Sequence, residues 1–165
     1  MLRLSRMTDF GVVVLSQMAL AQEMLLTAAQ LAEATGLPMP SVSKVLKLLA
    51  SSHLVTSHRG VNGGYVLARP ADEITVEEII SALEGPVALT ACVDGATGHC
   101  GVETMCPIRG RWDKVNTAIR SALDAITLAE IAEPSIYLNL PSTPDQRPAI
   151  LAHLTNTLDC APKST

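Results

Sequence analysis

Apolar residues recur along this chain at two periods, and the switches between them mark out the elements. The run from Phe10 to Leu15 sits inside a predicted first helix, Arg6–Gln22, with Ser5 or Thr8 as candidate N-cap. Leu25 and Leu26 follow as a linker. Thr27-Ala28-Ala29-Gln30 has the form of a capping box, Leu31 and Ala34 continue an apolar face, and Gly36 is placed to end this second helix. Beyond Pro38 and Pro40, Val42, Val45, Leu46 and Leu49 recur at helical spacing over a third helix, Ser41–Ser52, with Ser43, Lys44 and Lys47 on its polar side. The period then shortens. Leu54–His58 and Tyr65–Leu67 are β-prone and flank Arg59-Gly60-Val61-Asn62-Gly63-Gly64, which is turn chemistry. That predicts a β-hairpin with Arg59 near its tip.

Pro70 ends the hairpin, and helical spacing returns. Thr75-Val76-Glu77-Glu78 is another capping box, opening a helix through about Leu83 with Ile79, Ile80 and Leu83 apolar; Gly85-Pro86 stops it. Pro107 opens a long helical pattern, since proline tolerates the first turn. Within it Ile108, Trp112, Val115, Ile119, Ala122 and Ile126 alternate spacings of four and three, with Leu123 beside them. A 3.5-residue period is that of a helix paired with another helix. Thr127-Leu128-Ala129-Glu130 starts a further short turn of helix. After Glu133 the prolines at 134, 141, 144 and 148 break the chain up, leaving a short helix, Ala149–Leu158, and a lone Cys160.

A helix, a tight glycine-containing turn, a second helix with a basic and hydroxyl-bearing face, and an Arg-tipped hairpin form a winged helix-turn-helix. Each piece has a bland counterpart, because helix-turn-helix patterns arise by chance and basic helix faces are usually just solvated. The ordered combination is what is specific. The predicted fold is mainly α, with a small β-hairpin wing and a long C-terminal dimerisation helix. It divides into a DNA-binding region at 1–70, a connecting helix, cysteine loop and dimerisation helix at 71–132, and a Pro-rich tail at 133–165.

Composition sharpens this picture in two places. Aromatic residues are only 2% of the 165, so the core must be aliphatic. The net charge of −4 argues against nucleic acid until its distribution is read: residues 1–70 carry six basic and three acidic side chains, and the rest carry six and thirteen. The opening also resembles a secretory signal, with Arg3 and Arg6 before an apolar run and Ala19-Leu20-Ala21 after it. Asp9 abuts that run and Ser16 and Gln17 interrupt it, which favours a mature amphipathic helix. The run is too short to span a bilayer. The expected location is cytoplasmic, where clustered thiols serve metal or redox chemistry more than structural disulfides.

Three of the four cysteines, Cys92, Cys100 and Cys106, fall within fifteen residues on a polar segment made pliable by Gly95, Gly98 and Gly101. That is how a chain wraps several thiolates around one soft metal centre. The spacing is neither that of a ferredoxin nor of a zinc ribbon. Paired carboxylates, a nucleophile–histidine arrangement and a phosphate loop do not appear, so the chain does not read as an enzyme.

The opening L-R-L-S-R-M-T-D-F-G, the T-A-A-Q-L-A-E-A-T-G helix, the H-R-G-V-N-G-G-Y-V-L-A-R-P wing, the I-T-V-E-E-I-I-S-A-L-E-G helix and three cysteines ahead of a long helix resemble the IscR-type winged-helix regulators of the Rrf2 family, above all its regulators of iron–sulfur assembly. The resemblance covers about residues 1–132. It implies a homodimer on a palindromic double-stranded operator, with one iron–sulfur cluster, 2Fe-2S or 4Fe-4S, per subunit. It implies Cys92, Cys100 and Cys106 as ligands, Ser41, Ser43, Lys44 and Lys47 facing the major groove, and Arg59 the minor groove. The chain departs from the pattern in its first cysteine interval and at Arg109, where IscR-like members place a histidine ligand; a guanidinium stays protonated and cannot substitute. Asp9 matches the N-terminal aspartate that completes the site across the dimer in NsrR-like members. His99, Glu103 or a small molecule are the other candidates for the fourth position. Loss of the cluster would then free the cysteine loop and shift the helix behind it. An iron–sulfur carrier, or a zinc- or thiol-based redox switch on the same DNA-binding body, are the competing readings.

Overall fold

The computed structural model describes residues 4–21, 24–60, 63–91, 93 and 110–133, and a compact unit runs from Met1 to Glu133. The expected helix Ala149–Leu158, Cys160, and the ligand candidates Cys92, Cys100, Cys106, His99 and Glu103 lie outside the described residues. Among those described, six α-helices, a 3-10 turn at Ala71–Glu73 and one two-stranded antiparallel sheet form the winged helix-turn-helix architecture that the hydrophobic pattern predicts.

Helix α1 (Arg6–Leu20) is capped by Ser5, whose hydroxyl accepts from the Thr8 N–H. Helix α2 (Ala28–Thr35) has the full Thr27–Gln30 capping box and ends at Gly36 in the left-handed region, φ +68°. Helix α3 (Met39–Ser51) starts two residues before the expected Ser41. Pro38 is its N-cap and Pro40 lies in its first turn, where the missing N–H is one that no intrahelical carbonyl would have taken. Strands β1 (Val55–His58) and β2 (Gly64–Leu67) pair with Val55 opposite Leu67 and His58 opposite Gly64.

The linker before α2 is more than a connection. Leu26 bridges β2 at Tyr65, donating to the Tyr65 carbonyl at 3.0 Å and accepting from its N–H at 2.8 Å, which gives the wing a third, one-residue strand. This close approach requires Gly64: a Cβ there would lie 2.8 Å from the Leu26 carbonyl oxygen.

Helix α4 (Val76–Glu84) carries the Thr75–Glu78 capping box and packs on α1, α3 and α5. Helix α5 (Arg111–Asp124) begins four residues later than the expected opening at Pro107, because Gly110 sits at φ +72°, a conformation a continuing helix cannot contain. Helix α6 (Leu128–Ala132) has its own capping box, Thr127–Glu130, and packs on α1. A second bridge joins its approach to the start of α4: the Val76 N–H donates to the Ile126 carbonyl at 2.9 Å, and the Leu128 N–H to the Ile74 carbonyl at 2.8 Å.

One aliphatic core results, including Val14 and Leu15 of α1, Leu31 of α2, the α3 face, Leu54 and Val55, Ile74, Ile79 and Leu128. Residues from both sides of position 70 share it. Leu128 is fully buried although it belongs to a five-residue helix. Leu128→Ala is therefore expected to lower unfolding stability by about 2–5 kcal/mol, the cost of an aliphatic deletion in a closed core. Chemical denaturation measures it, and a loss within about 0.5 kcal/mol of wild type would show that α6 is not part of the cooperative unit.

Candidate nucleic-acid interface

Burial of Val42, Val45, Leu46 and Leu49 turns one side of α3 inward, and the remaining positions are what the helix can offer a partner. Ser43, Lys44 and Lys47 are exposed. Ser41 is half-buried and lies about 200° around the helix from Ser43, at 100° per residue, so the two serines sit on opposite shoulders. Ser43 and Lys47, four apart, share the edge nearest the hairpin with Ser51. Arg59 follows β1 directly and is exposed at the start of the wing turn. Gly60 takes φ +124°, and the Gly63 N–H closes the turn on the Gly60 carbonyl at 3.0 Å. Ser43, Lys44, Lys47 and Arg59 thus lie on the exposed surfaces of one rigid helix and one hairpin.

Ion pairing decides which basic groups remain available. Arg69 is committed within the fold: it donates to the Glu78 carboxylate at 2.7 Å and to the Glu73 carbonyl at 3.1 Å. Burial pushes the Glu78 carboxyl up, but the Thr75 N–H and the Arg69 guanidinium outweigh it and hold the group below its ordinary range. Arg120 pairs with Glu77 at 3.1 Å, tying α5 to α4. Lys44, Lys47 and Arg59 make no ion pair with any described residue.

The approach to the cysteine segment is anchored from two sides. The Asn116 side chain on α5, 4% exposed, accepts from the Leu89 N–H at 3.0 Å and donates to the Val87 carbonyl at 3.1 Å. Val93, one residue beyond Cys92, is buried. At the far end of α4, the Glu84 carboxylate accepts from the Ser5 N–H at 2.7 Å and from the hydroxyl of fully buried Thr8. Thr8 was a cap candidate on sequence; it is instead the group that ties α1 to α4. Asp9 is exposed in the first turn of α1, and its carboxylate bonds to no described residue. No group of three or more His, Cys, Asp or Glu side chains that could hold a metal ion occurs among the described residues. No described helix is long and apolar enough to cross a membrane.

Sequence reasoning missed Leu26, Asn116 and the Thr8–Glu84 contact. For Leu26 a signal existed: two consecutive glycines follow the wing turn, and turn geometry does not itself require the second. Asn116, a polar residue amid an apolar heptad pattern, was the visible sign of a buried clamp.

Comparison with known proteins agrees with this geometry. The family model described as Rrf2, iron-dependent transcriptional regulator, matches residues 4–134. The transcriptional regulator NsrR of Oceanobacillus iheyensis is 30% identical over 131 residues, covering 79% of this chain and 89% of its own. The structure of CymR, the global cysteine regulator of B. subtilis, is similar at TM-score 0.62 and 28% identity, covering 80% of this chain and 97% of its own. That of IscR from T. potens is similar at TM-score 0.60 and 27% identity, covering 86% and 94%.

The Glu84 contact gives a pH signature. Hydrogen bonds from Thr8 and then Ser5 hold its carboxyl below the ordinary value of 4.5. A depressed folded-state pKa stabilises above the ordinary value and loses that effect as pH falls through the depressed one. Glu84→Gln is expected to melt below wild type at pH 7, by at most about 1 kcal/mol given its exposure. The gap should close as the pH drops through and below 4.5. A gap that stays constant across that range would remove the charge from the contact.

Proposed function

Because the chain belongs to the Rrf2 family of transcriptional regulators, we propose that it is a cytoplasmic, homodimeric repressor that reads a palindromic operator and responds to an iron–sulfur cluster held by Cys92, Cys100 and Cys106. The observation that carries the DNA-binding part is the joint exposure of the Ser43–Lys44–Lys47 face and Arg59 on one body with Lys44, Lys47 and Arg59 unpaired among the described residues. Ser41, on the other shoulder of α3, extends the same face toward the major groove. Phosphate contacts from these cations supply salt-dependent affinity, and base-edge contacts supply selectivity.

Dimerisation is supported by the apolar stripe of α5. Trp112 and Val115 on α5 are 39% and 43% exposed, and Ile126, two residues beyond its end, is 43% exposed, an apolar surface left uncovered among the described residues. A second copy laid along that stripe would bury it and set the spacing of the two reading heads.

The cluster is supported by the donor set itself, three thiols within fifteen residues, and by similarity to IscR and NsrR proteins in an iron-dependent family. Asp9, exposed and unbonded among the described residues, is the carboxylate free to complete the site from the partner subunit. A bound cluster supplies a redox-active and labile centre. The chain's own contribution is mechanical: Asn116 holds the segment before Cys92 on α5, so displacement of that segment reaches the helix proposed to pair the subunits. The same three thiols carry a second reading, a zinc- or thiol-based switch on the same DNA-binding body.

Arg59→Ala is expected to weaken duplex binding by about 1–3 kcal/mol. Anisotropy titration at fixed salt checks this, and affinity equal to wild type would take Arg59 out of the interface. Protein purified without oxygen is expected to be brown, with stoichiometric iron and sulfide, and Cys100→Ala colourless. Zinc in place of iron would establish the second reading.

A further inference from the structure

Between the recognition helix and the wing runs a cleft walled by Ser43, Lys47, Ala50 and Ser51 of α3 and by Ser57 and Tyr65 of the hairpin. Residues 43, 47 and 51 are spaced by one helical turn, so a hydroxyl, an ammonium and a hydroxyl line one edge. Across from them, Ser57 and Tyr65 are paired in the hairpin register. Both backbone groups of Tyr65 are taken by Leu26 on the other side of the strand. A strand residue points its N–H and C=O to the same side, so Ser57 and Tyr65 face each other as a non-hydrogen-bonded pair, the kind that brings side chains closest. Tyr65 is half-buried and packs against the core, which fixes where its hydroxyl emerges.

The chemistry of this cleft is one-sided. It presents one ammonium and the hydroxyls of Ser43, Ser51, Ser57 and Tyr65, and no carboxylate of a described residue lines it, in a chain with sixteen acidic side chains. A duplex supplies a matching object. Its major and minor grooves are separated by a sugar–phosphate strand, so a protein with a helix in one groove and a wing in the next must let that strand pass between them.

We propose that this cleft is the seat of that strand, with Lys47 Nζ, Tyr65 Oη and Ser57 Oγ donating to the phosphodiester there. The assignment rests on the DNA-binding reading above and adds to it a role for Tyr65 and Ser57 that base recognition does not call for. Contacts of this kind fix register and orientation without reading sequence. Tyr65 is then a positioning residue that locks the angle between α3 and the wing on the duplex, and Lys47 carries the salt dependence.

The test uses the full-length protein, a duplex it selects from a random pool, and an unrelated duplex of equal length. Tyr65→Phe keeps the ring and its packing and removes only Oη. It is expected to weaken binding to both duplexes about tenfold with their ratio unchanged, and exposed Ser57→Ala to do the same about threefold. Lys47→Gln is expected to lower the slope of log affinity against log salt by about 1. A single neutral methylphosphonate at the phosphate between the two grooves is expected to weaken wild type and to cost Tyr65→Phe little more. Tyr65→Phe and Ser57→Ala proteins that bind like wild type, or that lose affinity for the selected duplex alone, overturn the assignment while leaving the DNA-binding reading intact. A wild-type protein that binds neither duplex overturns that reading as well.

Discussion

Four aliphatic side chains on one side of α3, Val42, Val45, Leu46 and Leu49, are completely withdrawn from water, and this constraint sets everything the helix presents outward. Each is worth about 1.5–3 kcal/mol buried against exposed. Turning the helix by one residue, about 100°, would expose part of that face and carry Ser43 and Lys47 toward the core. An unpaired buried ammonium costs several kcal/mol more. No surface contact available to α3 approaches those terms, so its polar face is fixed by the core before any partner arrives. The wing obeys the same rule. Leu54 and Val55 are buried where the hairpin leaves the body, and Arg59, four residues beyond Val55, is carried outward by about 13 Å of extended strand.

The chain beyond the wing is held to this core by polar contacts between distant segments. Pairing of Ile74–Val76 with Ile126–Leu128 brings Leu128 into the interior, and Asn116 replaces the missing strand partner of Val87 and Leu89. Breaking the Asn116 clamp while keeping its amide would leave that buried amide unpaired, at about 1–3 kcal/mol, and would free the half-buried Val87 and Leu89 backbone groups. The segment ahead of Cys92 therefore moves with α5. Because α4 packs on α1, α3 and α5 together, α3 and the proposed pairing helix share a neighbour. An effector biases such a system only through contacts that differ between two arrangements, and in the proposed mechanism this connectivity would carry a change in the Val87–Leu89 segment to both.

What was legible in the sequence was local. The capping boxes at Thr27–Gln30 and Thr75–Glu78 read directly, because a cap is satisfied by residues three apart. The hairpin read from its period and turn residues. The start of α3 came out two residues late, because two prolines that signal a break also fit a helix's first turn. The start of α5 came out early, because an apolar heptad pattern does not register that Gly110 turns left-handed. The Leu26–Tyr65 and Thr75–Thr127 bridges depend on segments about 40 and 50 residues apart, and no local pattern encodes such a meeting. The residues proposed to face DNA were named as the complement of the expected buried face of α3, and Val42, Val45, Leu46 and Leu49 of that face are buried. Ligation by Cys92, Cys100 and Cys106 rests on spacing and resemblance, as those residues lie outside the described ones.

An acidic chain is an unexpected ligand for a polyanion, and the distribution of contacts resolves the conflict. Several of the carboxylates after residue 70 are occupied in building the fold. Glu78 and Glu130 close capping boxes, Glu77 holds Arg120, and Glu84 holds Ser5 and Thr8. Their charge sits at helix ends and between helices, outside the lining of the cleft between α3 and the wing. At physiological salt a charge is felt over about 8 Å. At the surface proposed to meet DNA, Lys44, Lys47 and Arg59 make no ion pair with a described residue, and no carboxylate of a described residue lines that cleft. Arg69, although in the basic half, is already paired with Glu78 at 2.7 Å. Net charge reports solubility of the whole chain; affinity for a phosphate strand depends on which few cations the fold leaves unpaired at the right place.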